Sequence, residues 1–294
     1  LVFVTSLLDA LSDQNHIIAA ELRPPRAELG AAAGMDAWID TYHAVRSLVR
    51  GGTFVFITDS AVGLREEDNL RHLVTNLGSD VPRSHVVPFL TSKHTLDYCL
   101  AYADRAMEQS FGSLVVLGGD KSVGAPRCFA HAYELRQHIR ARQPDLTLGG
   151  WANPHADAAR QVEYLLAKDA HADFYLTQIV SHHDATAVER FVREGERQKL
   201  SLPGVFGVFY YRSANPRTLE ALKGFLPVPA EALVKEFGEG ATAVDICART
   251  LSTLANAGAR HFYISNLPAG RATATLSAIL ERAKLPIVPE TRTG

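Results

Sequence analysis

Short apolar runs alternate with longer amphipathic stretches along most of the chain. The runs fall at 17–21, 53–58, 85–91, 113–117, 146–151, 173–178, 204–210 and 261–265. Several carry adjacent β-branched or aromatic residues, as in Phe54-Val55-Phe56-Ile57. Near-continuous apolar strands of this kind suit a parallel sheet covered on both faces. The stretches between them have helical spacing. In 35–50 the apolar positions are Trp38, Ile39, Tyr42, Val45, Leu48 and Val49, and 96–109, 128–140, 156–168, 186–197 and 243–257 behave similarly. The segment 216–225 opens with Asn215-Pro216, an N-cap followed by proline at the first helical position. One further helix is expected at 229–237, before the last full strand–helix unit. Eight strands, each followed by a helix, predict a (β/α)8 TIM barrel spanning 1–294 as a single domain. The alternative, an open doubly wound sheet, would carry a glycine-rich turn after its first strand, and Glu21-Leu22-Arg23-Pro24-Pro25 is not one.

In such a barrel, chemistry sits where strands end and the following loops begin. The first strand delivers one carboxylate, Glu21, and Pro24-Pro25 then stop it, because proline cannot donate to a sheet. The other strand ends offer Thr58-Asp59, Thr91, Asp120, Asn153, Gln178, Tyr211 and Asn266. Each alone could be an ordinary cap or turn residue, and Gly118-Gly119-Asp120 would also make a good tight turn. Together they describe a cleft with carboxylates, an amide, hydroxyls and aromatics, and little concentrated positive charge. That suits a polar, planar organic ligand better than a polyphosphate alone.

Composition narrows the partners. Thirty basic residues face thirty-two acidic ones in 294, with neither sign in a long block, which argues against a nucleic-acid or membrane surface as the main partner. No apolar run is long enough for a membrane span, and Leu1-Val2-Phe3-Val4 lacks the basic flank of a signal peptide. Cys99, Cys128 and Cys247 are far apart in sequence, which suits a reducing cytoplasm rather than a disulfide framework. Twelve histidines invite a metal, but no familiar ligand spacing occurs. His182 and His183 are adjacent, so on a helix or strand they would point apart, and no metal site is expected. Homo-oligomerisation stays open.

Six motifs in order carry a resemblance. Glu21-Leu22-Arg23-Pro24-Pro25, Ile57-Thr58-Asp59-Ser60-Ala61, Leu117-Gly118-Gly119-Asp120, Gly150-Trp151-Ala152-Asn153-Pro154-His155, Ala172-Asp173-Phe174-Tyr175-Leu176-Thr177-Gln178 and His261-Phe262-Tyr263-Ile264-Ser265-Asn266 run over nearly the whole chain. In these segments the chain resembles the methylenetetrahydrofolate reductase family. The resemblance implies reduction of 5,10-methylenetetrahydrofolate to 5-methyltetrahydrofolate, with FAD carrying a hydride supplied by NAD(P)H. It implies Glu21 as the general acid that helps open the five-membered ring of the substrate. It places Asp120 near flavin and pterin, and Gln178 on the pterin edge. Thr58, Gly118, Gly119, Asp120, Trp151 and His155 fall on positions that contact FAD. Tyr211 is expected to stack on the folate or the nicotinamide, the other reading being barrel packing with a hydroxyl reaching solvent. The alternatives are a folate- or flavin-binding protein without turnover, such as a one-carbon delivery subunit, and a flavin-independent methylene-folate reductase.

The chemistry asks for such groups independently. An amine leaving group must be protonated as the ring opens, and the developing iminium is cationic, so a positioned carboxyl and a fixed carboxylate both help. Four positions depart from the family pattern. Gly118 replaces an arginine, Phe89 a histidine, Asp59-Ser60 the pair Tyr-Gly, and Trp151 a tyrosine. The lost arginine predicts weaker FAD binding, restored by Gly118→Arg unless Arg23 already fills that space. Arg23, two residues beyond Glu21, is expected to turn toward solvent, since a cation beside Glu21 would favour the ionised carboxylate.

Overall fold

A computed structural model of the chain describes residues 6–13, 16–25, 29, 31–59, 69–79, 81–121 and 124–285. The opening Leu1-Val2-Phe3-Val4 and the pair Ser60-Ala61 lie outside them. Eight parallel strands close into a barrel in sequence order. They are β1 (Ile18–Leu22), β2 (Val55–Ile57), β3 (Val86–Thr91), β4 (Ser113–Leu117), β5 (Thr147–Ala152), β6 (Phe174–Ile179), β7 (Gly204–Phe209) and β8 (His261–Ser265). Closure is made by β1 against β8, with Ala19 opposite Tyr263 and Ala20 opposite Ile264. The chain is therefore a (β/α)8 barrel, and every expected strand is found within two residues of its predicted position.

Two apolar layers explain the near-continuous hydrophobic runs. Ala19, Phe56, Val87, Phe89, Val115, Phe174, Leu176, Val205 and Tyr263 pack together inside the barrel. Their strand neighbours Ala20, Val55, Val86, Leu90, Val116, Tyr175, Phe206 and Ile264 face the surrounding helices. Alternate side chains of a strand point to opposite faces, and here both faces are buried.

The helical ring comprises α1 (Leu7–Ser12), α2 (Ala31–Arg50), α3 (Asn69–Asn76), α4 (Leu96–Glu108), α5 (Ala132–Arg142), α6 (Ala158–Leu166), α7 (Ala185–Arg197), α8 (Pro216–Lys223), α9 (Ala230–Gly238), α10 (Ala243–Asn256) and α11 (Ala272–Arg282). Asn215 caps α8, accepting from the backbone N–H of Arg217 and Thr218. The additional helix expected before the last unit is α9. Three helices were not foreseen. Of these, α1 sends Leu7, Ala10 and Leu11 into the inner barrel cluster, ahead of β1. The start of α5 falls four residues later than the periodicity indicates. His131 is its N-cap and forms a reciprocal capping box with Glu134. Among the described residues, no helix is long and apolar enough to cross a membrane.

Candidate active site at the C-terminal mouth

Glu21 is the next-to-last residue of β1, in phase with inward-facing Ala19. Its carboxyl is half-buried at the mouth of the barrel. Ser265, the last residue of β8, donates its hydroxyl to Glu21 Oε1 at 2.5 Å. This contact follows from the β1–β8 register, because Ala19 and Ala20 face Tyr263 and Ile264 and the next pair is Glu21 and Ser265. Beneath them Tyr263 donates to the carbonyl of Thr177 at 2.7 Å. Burial, with the charge of Glu21 second, pushes the Tyr263 phenol far above its ordinary range, so it stays a neutral donor.

Thr177 marks a register shift between β6 and β7. Leu176 pairs with Val205 but Ile179 pairs with Gly207, so β6 carries one residue more than its neighbour there. Bulges of this kind at a barrel rim re-aim the side chains around them. Thr177 Oγ1 accepts from the N–H of Gly207 at 3.0 Å, which repairs the interrupted ladder. Gln178 sits at the bulge, its Oε1 accepting from the N–H of Ile179 at 2.9 Å. That bond commits the carbonyl end of the amide to the protein and leaves the NH2 end as the one that can meet a ligand acceptor.

On the opposite side of the mouth, Asp59 is consumed by structure. Its Oδ2 accepts from Thr91 N at 2.7 Å and Thr91 Oγ1 at 2.9 Å, and His94 Nε2 donates to both carboxylate oxygens at 2.9 and 3.0 Å. The departure from Tyr-Gly at Asp59-Ser60 thus places a clamp between the ends of β2 and β3. Phe89, another departure, lies inside the barrel against Phe56, with ring centroids 6.0 Å apart. Asn266 likewise ties strands together, donating to the carbonyl of Tyr210 at 3.0 Å.

The Gly118-Gly119 turn after β4 is covered by a cation that the sequence did not point to. Gly118 does lack the family arginine, but Arg127 brings a guanidinium to the same place. A Cβ on Gly118 would stand 2.7 Å from Arg127 Cζ. Arg127 also donates to the carbonyl of Gly119, and to that of Ala130 at 3.2 Å. Its Nε is buried without a partner among the described residues. Arg23 is exposed, and the guanidinium that stands against Gly118 is that of Arg127. Gly118→Arg is therefore expected to destabilise this turn rather than to fill a vacancy. The new side chain must displace Arg127, and loss of its bonds should lower the thermal midpoint by several degrees. Thermal unfolding of the purified variant checks the size of the drop.

The remaining expected residues are distributed as follows. Trp151, on β5, is 37% exposed, a large aromatic surface at the rim. His155 Nε2 donates to the carbonyl of Ile179 at 2.9 Å, which leaves Nδ1 as the acceptor in its neutral form. Thr58 and Asp120 follow β2 and β4, both half-buried. Tyr211 follows its packing reading, except that the hydroxyl is buried. It is 4% exposed, packs with Leu219, Leu233 and Ile246 under α8–α10, and its hydroxyl is buried without a partner among the described residues. Its ring faces protein and is not a stacking wall, and its hydroxyl does not reach solvent. Cys99 and Cys128, distant in sequence, meet behind the β3 and β4 ends, where burial pushes both thiols up.

Ser265, His94 and Arg127 were missed by sequence reasoning. Ser265 had a usable signal, since it shares the inward phase of Tyr263 at a strand end. The other two sit in loops whose path only the folded structure fixes.

The groups gathered here are of the kinds a flavin would need. Arg127 supplies positive charge with a buried N–H that has no partner among the described residues, and Trp151 offers an aromatic face.

No protein-family model matches the chain, and no curated protein matches it. Among solved structures, it is similar to an uncharacterized protein from Clostridium thermocellum that binds two copies of 5-methyl-5,6,7,8-tetrahydrofolic acid. That similarity has a TM-score of 0.67 at 16% identity, over 93% of this chain and 96% of the other. A 2,3-dimethylmalate lyase follows at TM-score 0.46 and 11% identity, over 95% and 85% of the two chains. PhdJ bound to a substrate intermediate follows at 0.48 and 14%, over 92% and 72%. At these identities what the chain shares with the Clostridium thermocellum protein is its barrel fold.

Proposed function

We propose that this chain binds a reduced folate at the C-terminal mouth of its barrel and reduces 5,10-methylenetetrahydrofolate to 5-methyltetrahydrofolate, as a divergent relative of the methylenetetrahydrofolate reductases. The observation that carries the proposal is Glu21, an inward-facing carboxyl at the mouth, oriented by Ser265 and accompanied by the amide of Gln178. The likeness to a folate-binding barrel over nearly the full length supports the same ligand class.

In this reading the pterin edge pairs with the NH2 end of Gln178 and with Asp120. Glu21 protonates the amine that departs when the five-membered ring opens. Asp120 stabilises the cationic iminium, and the barrel wall excludes water from it. FAD is the expected cofactor, and when bound it supplies the hydride that NAD(P)H replenishes. Thr58, Gly119, Trp151, His155 and Arg127 are the residues that would hold it. The activity is tested by anaerobic incubation with FAD, NAD(P)H and the methylene substrate, followed by mass spectrometry. Formation of 5-methyltetrahydrofolate is the expected result. Saturable folate binding with no product from either nicotinamide would move the assignment to a folate-binding protein without turnover. The changes at Asp59 and Phe89 favour that second reading.

Ser265 gives a finer check. Ser265→Ala is expected to leave folate affinity within about threefold and to slow reduction roughly tenfold through lost orientation, equivalent to about 1.4 kcal/mol. The loss should fall on kcat and leave KM nearly unchanged, because the serine acts by orienting Glu21. A merely structural serine would raise KM and weaken folate binding as well.

A further inference from the structure

A second cluster of functional groups lies in the loop after β6, four residues beyond Gln178. His182 and His183 occupy a 3-10 turn, His182–Asp184, at the entry to α7. The expectation that adjacent histidines point apart assumed a strand or an α-helix. In this tighter turn their ring centroids are 3.9 Å apart. Both reach Glu236 on α9, His182 Nε2 at 2.7 Å and His183 Nε2 at 3.7 Å from Oε1. One donor atom from each of the three lies within 4.8 Å of the others. The carboxyl of Glu236 is only 11% exposed, and its Oε2 is buried with no partner among the described residues.

The hydrogen bonds fix the tautomer of His182. Thr250 spends its one hydroxyl proton on the carbonyl of Ile246, at 2.9 Å. Its oxygen must then accept from His182 Nδ1, 2.8 Å away. The proton of a neutral His182 is therefore on Nδ1, and Nε2 turns a lone pair toward a carboxylate oxygen at 2.7 Å. Two facing lone pairs repel, so the arrangement calls for a cation. That cation is either a second proton on His182 or a metal ion that takes Nε2 and Oε1 as neighbouring ligands. A tetrahedral zinc with bonds of about 2.0–2.1 Å separates neighbouring ligand atoms by about 3.3 Å, and the two distances to Glu236 straddle that value. A hydrogen bond to the far nitrogen of a ligating histidine, as Thr250 provides, is the usual outer-shell support.

We propose that His182, His183 and Glu236 form a binding site for a divalent transition metal of the zinc class. Two imidazoles and one carboxylate leave at least one coordination position for water or a ligand, the pattern of an open rather than a closed site. The two nitrogens disfavour magnesium and calcium. Arg249 competes for the same carboxylate. Its Nη1 lies 2.9 Å from Glu236 Oε1, and its side chain is half-exposed and able to withdraw.

The test uses the full chain, stripped with a chelator and titrated with Zn2+ against a chromophoric competitor, with Co2+ as a spectroscopic probe. One equivalent of Zn2+ per chain and visible Co2+ ligand-field bands are expected. His183→Ala and Glu236→Gln should each weaken Zn2+ binding at least tenfold, given that even outer-shell changes cost about 10–100-fold. Arg249→Ala should tighten it by removing the competing cation. The half-exposed His183 keeps the test usable should a change at His182 prevent folding. Less than one equivalent bound at 100-fold excess Zn2+ over chain, or Zn2+ affinity unchanged in His183→Ala and Glu236→Gln, would overturn the proposal. So would an Arg249→Ala variant that loses thermal stability without gaining Zn2+ affinity, the behaviour of an ion-pair network.

Discussion

Replacing Glu21 with glutamine is expected to leave folate binding nearly intact and to slow reduction of the methylene substrate by roughly 10²–10⁴-fold, the usual size of a general-acid contribution. Glutamine keeps the shape of the side chain and can still accept from the Ser265 hydroxyl, so the β1–β8 rim should survive. What it cannot do is give up a proton to the departing amine. The reduction of bound flavin by the nicotinamide needs no proton at that amine, and it should proceed at nearly the wild-type rate. Stopped-flow measurement of the two half-reactions separates the effects. An equal loss in both would mean that Glu21 shapes the mouth and takes no part in proton transfer.

A second large effect is expected from Gly207→Ala, in the barrel wall. A Cβ at Gly207 would lie 2.4 Å from the Tyr263 hydroxyl and 2.5 Å from its Cζ. Tyr263 is 1% exposed inside a closed ring of strands, so it has no free direction in which to move. Its hydroxyl also carries the bond to Thr177 that underlies the bulge at Gln178. Overpacking of this kind costs about 1–3 kcal/mol, and a stranded carbonyl at Thr177 adds about 1–3 kcal/mol if the ring tilts away. Thermal unfolding should show a midpoint lowered by roughly 2–4 °C for each kcal/mol lost. Because the displaced ring sits below Glu21 and Gln178, folate affinity should fall as well. A variant with unchanged midpoint and unchanged folate affinity would show that this contact does not support the site.

The fold was largely legible because each strand is an apolar run bounded by turn residues, and both of its faces are buried. The elements that escaped have local reasons. A six-residue helix such as α1 is too short to show a period, and its burial under the barrel depends on strands far along the chain. The late start of α5 reflects the path of the β4 loop, where Cys128 N donates to the carbonyl of Ser92 at 2.6 Å and the chain bends over 128–131 before the helix begins. The site divides in the same way. Glu21 and Gln178 were legible as polar residues ending apolar strands. The partner of Glu21 lies 244 residues away, and only barrel closure brings the two together. Arg127 was hidden for a similar reason. A gap at Gly118 is visible in sequence, whereas a loop that folds back to fill it is not. Tyr211 was misjudged because a strand-end tyrosine was assumed to face the mouth, while α8–α10 cover it. The paired histidines escape a reading based on regular elements because a 3-10 turn brings their rings together.

The central claim is that a reduced folate binds beside Glu21 at the mouth of this barrel, and isothermal titration with 5-methyltetrahydrofolate tests it most directly. Wild-type protein should bind saturably. Gln178→Ala should weaken binding by roughly tenfold or more, the loss expected for a hydrogen bond in a desolvated site. Gly270→Ala, in an open turn with no neighbour near its Cβ, should leave binding unchanged. No saturable binding at several hundred micromolar ligand, or equal affinity in wild type and Gln178→Ala, would contradict the account.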